Sequence, residues 1–470
     1  MKKQHRRPRR ESPPAAAGVA GGKLSAGASV EVEIERIVPG GAGLGHADGY
    51  TLFVQLAAPG DRVRARVERV RGKVAFASVA EVITPSPARV APPCPYFGRC
   101  GGCDFQQLTY EAQLAAKVEI VRDCLRRIAR RDPPPDIPIT PSPAVWRYRS
   151  RARWQHDPVR QFLGYYELAS HRVCDVTECP VVLPEVQDKF SRLRATLAGG
   201  EFEETEEFQA VAGDDGVSLL PPIAAGDARE RYRDLAGERY HFDADCFFQI
   251  NHALLEPLLA EALKGTPAAT TSEMGMTGES SATSESDTTS GSDATRESVT
   301  TAATSGEEDA TGAAGATGGT AVDLYCGVGL FTLPLARRFA RVAAVEGNAS
   351  VTEFARRNLA AAGLANASVH TARVGDWLAA HAARLAPVDF LLLDPPRAGA
   401  EPETIAGILA LRPRRIAYVS CDPATLARDL RALLDAGYAL DSVRAFDMFP
   451  QTHHVETVVH LTAVTIASCD

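Results

Sequence analysis

The sequence predicts an α/β protein in which a small β-barrel and a central, cysteine-rich α+β region precede a doubly wound parallel sheet. Three observations support this fold class. Apolar segments in the C-terminal half alternate with helical segments, as in a parallel sheet with crossover helices. Residues 24–84 alternate apolar and polar side chains and turn at glycines, which is typical of a small barrel. Cysteines cluster in a turn-rich loop between Cys94 and Cys103.

Length and composition limit the class of protein. At 470 residues, of which 45% are hydrophobic, the chain is long enough for about two to three domains with ample core. The sequence has no signal peptide and no apolar run of about eighteen residues, so we expect a soluble, cytoplasmic protein with no membrane partner. We also expect a monomer.

The net charge of −8 is unevenly distributed. Residues 266–320 contain nine acids and one arginine, which accounts for all of it. This segment is rich in Thr, Ser, Ala and Gly and lacks a periodic apolar face, so we expect a disordered insertion that loops out of the fold. The first ten residues carry six lysines or arginines, which indicates either a flexible arm that touches RNA or a solvated tail.

A second basic segment covers residues 146–154, where arginines alternate with other residues and aromatic residues are interleaved. Alternation along a strand would place Arg147, Arg149, Arg151 and Arg153 on one face. Such a face suits a phosphate backbone, and the aromatic residues could stack on unpaired bases. The alternative is an exposed strand whose arginines pair with nearby acids.

Residues 321–332 form an apolar strand, a glycine turn and the start of a helix. Gly327 and Gly329 allow the backbone to approach a ligand closely, and Glu346 ends the next apolar strand, where an acid bonds ribose hydroxyls. Thr332 replaces the third glycine of the dinucleotide fingerprint. This disfavours a pyrophosphate and favours a cofactor without phosphate, such as S-adenosylmethionine; an ordinary strand-turn-helix remains the alternative.

The apolar strand at residues 388–393 delivers Asp394 and two prolines to its C-terminal end. Ligands of open α/β sheets bind at that edge. Methyltransferases that act on exocyclic amines often carry an aromatic residue after the double proline, and Arg397 occupies that place here. Amine methylation is therefore disfavoured.

Cys421 ends a further apolar strand, and Asp422 and Pro423 supply the N-cap and first turn of a helix. The partial positive charge of a helix N-terminus favours thiolate over thiol, so Cys421 is a candidate nucleophile. Glu456 follows two histidines further along the chain and is a candidate base. Strand alternation would place His454 and Glu456 on one face and send His453 to the other, which disfavours a metal site there.

Four motifs, DLYCGVG, LLLDPPRAG, VSCDPATLARDL and PQTHHVETV, resemble the uracil-5 RNA methyltransferase family and occur in family order. The resemblance covers roughly residues 240–470. It implies that Cys421 adds to C6 of a uridine, that C5 takes the methyl group of S-adenosylmethionine, and that Glu456 removes the C5 proton. The cofactor-binding residues it implies, together with those of the glycine turn, are Gln249, Tyr325, Gly327, Gly329, Glu346, Asp376 and Asp394.

The chemistry needs these residue types because C5 of uracil is a poor nucleophile until a thiolate has added at C6. A carboxylate within reach of C5 then serves as the base. The target uridine should be flipped out or lie in a loop, and Phe247 or Phe248 could stack on it. The sequence departs from the family at Leu330, where many members have an asparagine that contacts the cofactor.

The cysteine cluster admits zinc, a disulfide or an iron-sulfur cluster on spacing alone. A disulfide is the least expected, because ten cysteines in 470 residues without a signal peptide do not suggest a secreted scaffold. The spacing resembles the four-iron four-sulfur site of the ribosomal branch of the family. That resemblance implies the ligands Cys94, Cys100, Cys103 and Cys179, with Cys174 as a competitor for the last position. Because the reaction involves no electron transfer, we expect a structural role for the metal.

The N-terminal barrel resembles the TRAM domain, an oligonucleotide-binding-like barrel. Barrel and cysteine cluster together imply the ribosomal branch, so we expect methylation of a uridine in 23S ribosomal RNA. Methylation of transfer RNA in the thymine loop is the alternative within the class. A non-catalytic RNA-binding or ribosome assembly factor is the alternative outside it, and the presence of both Cys421 and Glu456 argues against that.

We therefore expect four parts. They are a basic disordered tail at 1–23, a TRAM barrel at 24–84, a central cysteine-cluster and RNA-recognition domain at 85–235, and a Rossmann-like methyltransferase domain at 236–470 that contains the insertion 266–320.

Overall fold

The computed structural model describes residues 23–200, 202, 204–224, 227–269, 318–385 and 387–464. The expected basic tail lies outside the described residues except for Lys23. The expected insertion 266–320 does so except for its two ends, 266–269 and 318–320.

The N-terminal part is a closed barrel of five strands, as predicted. In chain order the strands are β1 (Ser29–Ile37), β2 (Gly43–Ala47), β3 (Tyr50–Gln55), β4 (Arg62–Arg71) and β5 (Val74–Thr84). Around the barrel they follow the order β1-β2-β3-β5-β4. Alternate residues such as Val32, Leu52 and Val54 point inward and are buried, which is why the apolar-polar alternation predicts this element.

The central region begins with helix α1 (Tyr110–Cys124), whose first turn is capped by the Thr109 side chain, and a short strand β6 (Ile139–Thr140). An antiparallel sheet of five strands follows, in the order β11-β10-β7-β8-β9. Its strands are β7 (Arg151–Asp157), β8 (Phe162–Tyr166), β9 (Val173–Asp175), β10 (Glu207–Gly213) and β11 (Gly216–Leu220). Helix α2 (Pro184–Leu197) packs on this sheet through Phe190, which contacts Trp154. A two-stranded ribbon, β12 (Arg231–Leu235) and β13 (Glu238–Phe242), leads to the C-terminal part.

The C-terminal part is built on an eight-stranded sheet in the order β16-β15-β14-β17-β18-β20-β19-β6. Its remaining strands are β14 (Thr320–Leu324), β15 (Arg341–Glu346), β16 (Ala367–Thr371), β17 (Phe390–Leu393), β18 (Arg415–Ser420), β19 (Tyr438–Phe446) and β20 (Glu456–Ala463). Strands β14 to β18 are parallel, whereas β20 is antiparallel to both β18 and β19.

Helices cover both faces of this sheet, which confirms the doubly wound prediction. The helices are α3 (Leu255–Ala262), α4 (Thr332–Ala336), α5 (Ala349–Ala361), α6 (Val374–Leu385), α7 (Pro402–Leu411) and α8 (Pro423–Asp435). In β17, Leu391 and Leu393 join one core while Phe390 and Leu392 join the other. A strand buried on both sides must be apolar throughout, as this one is. The strand order reverses between β14 and β17, so their carboxyl ends form the crevice in which ligands of such sheets bind.

No helix in the described ranges has both the length and the apolarity needed to cross a membrane.

Candidate active site

The glycine turn lies at the carboxyl end of β14. Tyr325, Gly327 and Gly329 have φ angles of 62°, 55° and 98°, so the chain turns back through the left-handed region that glycine tolerates. Apart from Gly327 and its two chain neighbours, no described residue has a heavy atom within 4 Å of the point where a Cβ on Gly327 would stand. The turn therefore leaves open space at the switch point of the sheet.

Glu346 ends β15 beside this turn, as predicted. Its carboxylate accepts hydrogen bonds from Gly327 N at 3.3 Å and from Asn348 N at 2.9 Å. The Tyr325 hydroxyl is held from the other side, by the Glu401 carboxylate and by Thr404 Oγ1 at 3.2 Å. The structure thus brings Tyr325, Gly327 and Glu346 together.

Gln249 and Asp394 meet at the same edge although 145 residues separate them. Gln249 Nε2 donates to Asp394 Oδ2 at 3.4 Å. Burial raises the pKa of Asp394 to about 7. Gln249 is 3% exposed, and its Oε1 atom has no hydrogen-bond partner among the described atoms. An unpaired buried amide oxygen beside a carboxyl group is a fitting site for a ligand that is cationic or rich in donors.

Asp376 is less closely tied to this group of residues. It lies in the first turn of α6 and is exposed, while the neighbouring Trp377 is buried. The backbone carbonyl of Leu330, the position that departs from the family pattern, accepts a hydrogen bond from the Tyr240 hydroxyl at 3.3 Å. The Leu330 side chain packs into the core between the sheet and helices α3 to α5.

Cys421 follows β18 and precedes α8, as predicted. Asp422 caps this helix, since its Oδ1 atom accepts from Ala424 N and Thr425 N, both at 2.9 Å. The helix N-terminus is not the strongest influence on this thiol. Burial, reinforced by Glu456 and Asp394, raises the pKa of Cys421 to about 12. Loss of hydration outweighs the helix N-terminus because it acts on the full charge of the thiolate.

Glu456 is the first residue of β20 and lies next to Cys421. Ser420 pairs with Thr457 in the antiparallel ladder of β18 and β20, so the residue after Ser420 stands opposite the residue before Thr457. Glu456 is 1% exposed, and neither carboxyl oxygen has a partner in the described part of the chain. Burial, and then the Asp394 charge, raise its pKa well above the usual value, while Arg397 opposes them. A candidate nucleophile, just after β18, and a candidate base, at the start of β20, therefore lie opposite each other.

The two histidines before Glu456 are not on the strand, so the predicted alternation between them is wrong. β20 begins only at Glu456, and the two imidazole rings lie 4.2 Å apart in the preceding loop. His453 pairs with the Asp104 carboxylate, which also accepts from His453 N at 2.8 Å. Burial lowers the pKa of His454 to about 2. Both histidines help to shape the loop, and the described residues hold no metal-binding group there.

The loop of residues 447–455 is anchored by contacts that sequence reasoning missed. Lys117 of α1 is fully buried and pairs with the equally buried Asp447, and its Nζ donates to Phe449 O at 3.0 Å. One helical turn earlier, Gln113 accepts from Gln451 N at 2.9 Å and donates to Gln451 Oε1 at 3.1 Å. In the sequence, the only sign of this anchor is that Gln113 and Lys117 are spaced four residues apart on one helix. Nothing in the sequence identifies Gln451 and Asp447 as their partners.

Of the two aromatic residues proposed to stack on a base, only Phe247 is available. It is 58% exposed, whereas Phe248 is 2% exposed and stacks on Phe242 with ring centroids 4.6 Å apart. Phe248 belongs to the core.

The predicted face of four arginines is wrong. β7 begins only at Arg151, whose guanidinium donates to Ala244 O at 2.9 Å and to Gln209 Oε1 at 2.8 Å. Arg149 Nε donates to Arg151 O at 2.9 Å. Only Arg147 and Arg153 are exposed, and Arg153 pairs with a glutamate. Arg151 holds the segment that leads to Gln249, through backbone carbonyls and an amide. The alternative of an arginine paired with a nearby acid applies to Arg153.

Cys94, Cys100, Cys103 and Cys179 line one cavity of about 120 Å³. Cys174, the competitor for the fourth position, is buried on β9 and is not among the lining residues. Burial raises the pKa of Cys100 to about 12, and it also raises those of Cys94 and Cys103. Among the described residues, no group of three or more His, Cys, Asp or Glu side chains is arranged to hold a metal ion. The thiols therefore surround a space and do not converge on one point.

Two family models match the sequence. The model described as tRNA (Uracil-5-)-methyltransferase matches residues 307–464, and the TRAM domain model matches residues 23–80. The first match spans the glycine turn, Asp394, Cys421 and Glu456. The second spans the five-stranded barrel except for the end of β5.

Curated relatives are similar over almost the whole chain. A 23S rRNA (uracil(1939)-C(5))-methyltransferase, RlmD, from Alkalilimnicola ehrlichii is 34% identical over 440 residues, which covers 91% of this chain and 95% of the relative. An uncharacterized RNA methyltransferase, tlr0942, from Thermosynechococcus vestitus is 33% identical and covers 93% of this chain and 98% of the relative.

Among solved structures, the tRNA (uracil-54, C5)-methyltransferase of Pyrococcus abyssi in complex with S-adenosyl-L-homocysteine superposes with a TM-score of 0.63. It is 23% identical and covers 92% of this chain and 100% of its own. At that identity the likeness concerns the fold, which the two proteins share.

Proposed function

This chain belongs to the RNA uracil-5 methyltransferase family of S-adenosylmethionine-dependent enzymes, and we propose that it forms 5-methyluridine at a specific position of 23S ribosomal RNA. The observation that carries this proposal is the placement of Cys421 opposite Glu456 at the carboxyl edge of the sheet, beside the Gln249–Asp394 pair. The similarity to 23S ribosomal RNA enzymes over nearly the full length supports the substrate class.

In the proposed reaction the Cys421 thiol gives up its proton to solvent, and the resulting thiolate Sγ bonds to C6 of the uridine while the π electrons of the C5–C6 bond move toward C5 and O4. S-adenosylmethionine, when bound, would supply an electrophilic methyl group, which C5 accepts as the bond between that methyl group and the sulfonium sulfur breaks. Glu456, ionised at that stage, takes the proton that C5 carries. The bond between C6 and Sγ then breaks as the C5–C6 double bond forms again, and Cys421 leaves as a thiolate.

The cofactor is held, in this proposal, by Gln249, Asp394, Glu346 and the glycine turn, with Asp376 as a more distant candidate. The unpaired Gln249 oxygen and the buried Asp394 carboxyl group are suited to its positively charged end. A positive charge among Asp394, Glu456 and Cys421 favours the ionised form of each. Burial has the opposite effect on all three, so cofactor binding prepares both the nucleophile and the base.

The test is transfer of labelled methyl from S-adenosylmethionine to separate pools of unmodified 23S ribosomal RNA and transfer RNA, with nucleoside analysis. We expect label as 5-methyluridine in the ribosomal pool only. Label in transfer RNA would keep the chemistry and overturn the substrate class. No label in either pool, from folded protein with bound cofactor, would contradict the proposed function. Cys421→Ala is the control, because an enzyme without its nucleophile should be inactive on both pools.

We further propose that the cysteine-lined cavity holds a four-iron four-sulfur cluster with a structural role. Support comes from the four cysteines that surround one cavity, and from the ligand spacing shared with the family's ribosomal branch. A cluster sits between its ligands and suits thiols placed around a space. The reaction involves no electron transfer, so no catalytic step requires the iron.

Iron and acid-labile sulfide should be present in wild-type protein purified without oxygen and be lost from Cys179→Ser. Cys174→Ser is the matched control, because Cys174 lies five residues away but does not line the cavity; this variant should keep its iron. Equal iron in both variants would make the assignment of Cys179 wrong, and iron-free wild-type protein would exclude the cluster.

A further inference from the structure

The loop that joins β17 to α7, residues 394–401, reaches the proposed cofactor site at both of its ends. At the first end Asp394 accepts from Gln249 Nε2 at 3.4 Å, and at the last end Glu401 accepts from the Tyr325 hydroxyl of the glycine turn. The two prolines after Asp394 have no backbone N–H, so they cannot anchor the loop by donating hydrogen bonds. The course of the loop therefore depends on what holds its middle.

Three side chains of α8 hold the middle of this loop. Thr425 Oγ1 donates to the Arg397 carbonyl at 3.2 Å. Arg428 Nη2 donates to Ala400 O at 2.9 Å, and Asp429 Oδ2 accepts from Ala400 N at 2.9 Å. Positions 425, 428 and 429 are spaced i, i+3 and i+4, so these side chains lie on one face of the helix. Together Thr425, Arg428 and Asp429 form the loop clamp.

At Gly399 the backbone of the loop lies directly against the loop clamp. A Cβ on this residue would come within 2.7 Å of Asp429 Oδ2 and 2.9 Å of Thr425 Cβ. The φ angle of 76° also belongs to the left-handed region that glycine tolerates. Both the available space and the backbone conformation therefore require glycine here, and the absence of a side chain lets the loop approach α8 closely.

The Asp429 carboxylate joins the loop to the strand that precedes the nucleophile. Asp429 is 3% exposed. Besides Ala400 N, its carboxylate accepts from the Tyr418 hydroxyl and from Arg428 Nε, both at 2.7 Å. Tyr418 is on β18, three residues before Cys421, and α8 begins two residues after Cys421. One buried group thus connects the elements on both sides of the nucleophile with the loop that reaches the cofactor site.

We propose that Asp429 is a positioning residue, which through the loop clamp sets the place of the bound cofactor relative to Cys421. The inference rests on the proposed reaction, in which C5 must meet the methyl group of the cofactor while C6 is bonded to Cys421. A misplacement of about 1 Å between reacting groups can cost roughly 10²-fold in rate. The partners of Asp429 are not reacting groups, so it acts through the loop.

The test is Asp429→Asn in the full-length protein. Asparagine has nearly the same shape, but its amide nitrogen would face a donor whichever way it points, either Arg428 Nε or Ala400 N. We expect kcat to fall by roughly 10²-fold. The dissociation constant of S-adenosylmethionine, measured by titration calorimetry, should rise about tenfold, as for one lost hydrogen bond. The KM for substrate RNA should change less than kcat, because the loop clamp acts on the cofactor site.

Leu433→Ala is the matched control for lost stability. Leu433 is fully buried on α8, one helical turn beyond Asp429, and its apolar side chain forms no hydrogen bond with the loop. Truncation of a buried leucine should lower the thermal midpoint of unfolding at least as much as Asp429→Asn does. Assayed well below that midpoint, Leu433→Ala should keep the kcat and the cofactor affinity of the wild type.

Thr425→Val/Arg428→Met provides a second test if Asp429→Asn does not fold. Thr425 is half-buried and Arg428 is exposed, so the core tolerates both changes. The variant removes two of the hydrogen bonds between α8 and the loop, and it should lower kcat and weaken cofactor binding in the same direction as Asp429→Asn.

Wild-type kcat and cofactor affinity in Asp429→Asn, or in Thr425→Val/Arg428→Met where only that variant folds, would overturn the proposal. A fall of kcat in Leu433→Ala as large as that in Asp429→Asn would overturn it as well, since turnover would then follow stability alone. Failure of the proposed function looks different. Methyl transfer to 23S ribosomal RNA would be absent from the wild type, while the effect of Asp429→Asn on cofactor affinity would remain.

Discussion

Replacing Glu456 by glutamine should stop the reaction after addition to the uridine and leave the protein covalently bound to RNA through Cys421. The glutamine cannot accept the C5 proton, so the bond between Sγ and C6 has no route to elimination. General bases contribute roughly 10²- to 10⁴-fold, and kcat should fall by at least that factor. A band that resists denaturing electrophoresis and contains both protein and RNA is the measurement.

The control is the double variant Cys421→Ala/Glu456→Gln, which should form no such band. Turnover close to that of the wild type in Glu456→Gln would show that another group removes the proton. Absence of a band from an inactive Glu456→Gln variant that binds RNA and cofactor would place the role of Glu456 before addition and contradict the proposed order of steps.

The same substitution has a stability signature that depends on pH. Burial raises the pKa of Glu456 well above that of a glutamate in the unfolded chain, about 4.3. The folded protein therefore binds the proton of the Glu456 carboxyl group more tightly than the unfolded chain does. The stability that this proton contributes is lost as the pH rises above the pKa of the unfolded chain. Glutamine carries no such proton. Relative to the wild type, Glu456→Gln should gain stability between pH 5 and pH 8 in urea unfolding, which separates loss of the base from loss of the fold.

Lys117→Met should destabilise the protein by roughly 3–5 kcal/mol, the cost of leaving one member of a buried ion pair without its partner. Both side chains of the Lys117–Asp447 pair are fully buried, and the Phe449 carbonyl loses a donor as well. Because this pair anchors the loop that ends at Glu456, kcat should fall more than the KM for RNA rises. Chemical unfolding and steady-state kinetics measure the two effects.

Two further variants test whether the buried pair anchors the loop. Lys117→Met/Asp447→Asn removes the charge that would otherwise be left unpaired, so it should recover part of the stability without restoring the anchored loop or kcat. Lys264→Met removes a mostly exposed lysine paired with Glu261 at 3.6 Å and should cost less than about 1 kcal/mol. A loss in Lys117→Met as small as that in Lys264→Met would show that the buried pair does not hold the loop.

Local sequence pattern predicted the elements that carry the chemistry. Alternation gave the barrel, apolar runs gave the parallel strands, and the Asp422-Pro423 cap placed Cys421 at the start of α8. These features depend on residues close together in the chain, where periodicity and capping are informative. The family resemblance added the roles of Cys421 and Glu456.

Long-range partners were not predictable in the same way. Arg151 was expected to face RNA but holds backbone carbonyls near residue 245, and Lys117 meets Asp447 across 330 residues of chain. At Cys421 the sequence shows the helix N-terminus but not the burial, which raises the pKa of the thiol. The histidines before Glu456 were placed on a strand that begins later, which reflects the usual uncertainty of strand ends.

The pairing of β18 with β20 has a consequence for how the reaction is timed. Cys421 and Glu456 stand opposite each other one position beyond the last pair of the ladder, Ser420 and Thr457, so the sheet sets their spacing before any substrate arrives. In the proposed reaction the enzyme therefore has little rearranging to do. The uridine moves instead: it must leave its stack, bond to the sulfur of Cys421 and return. The protein keeps the two reacting side chains in place while it does so.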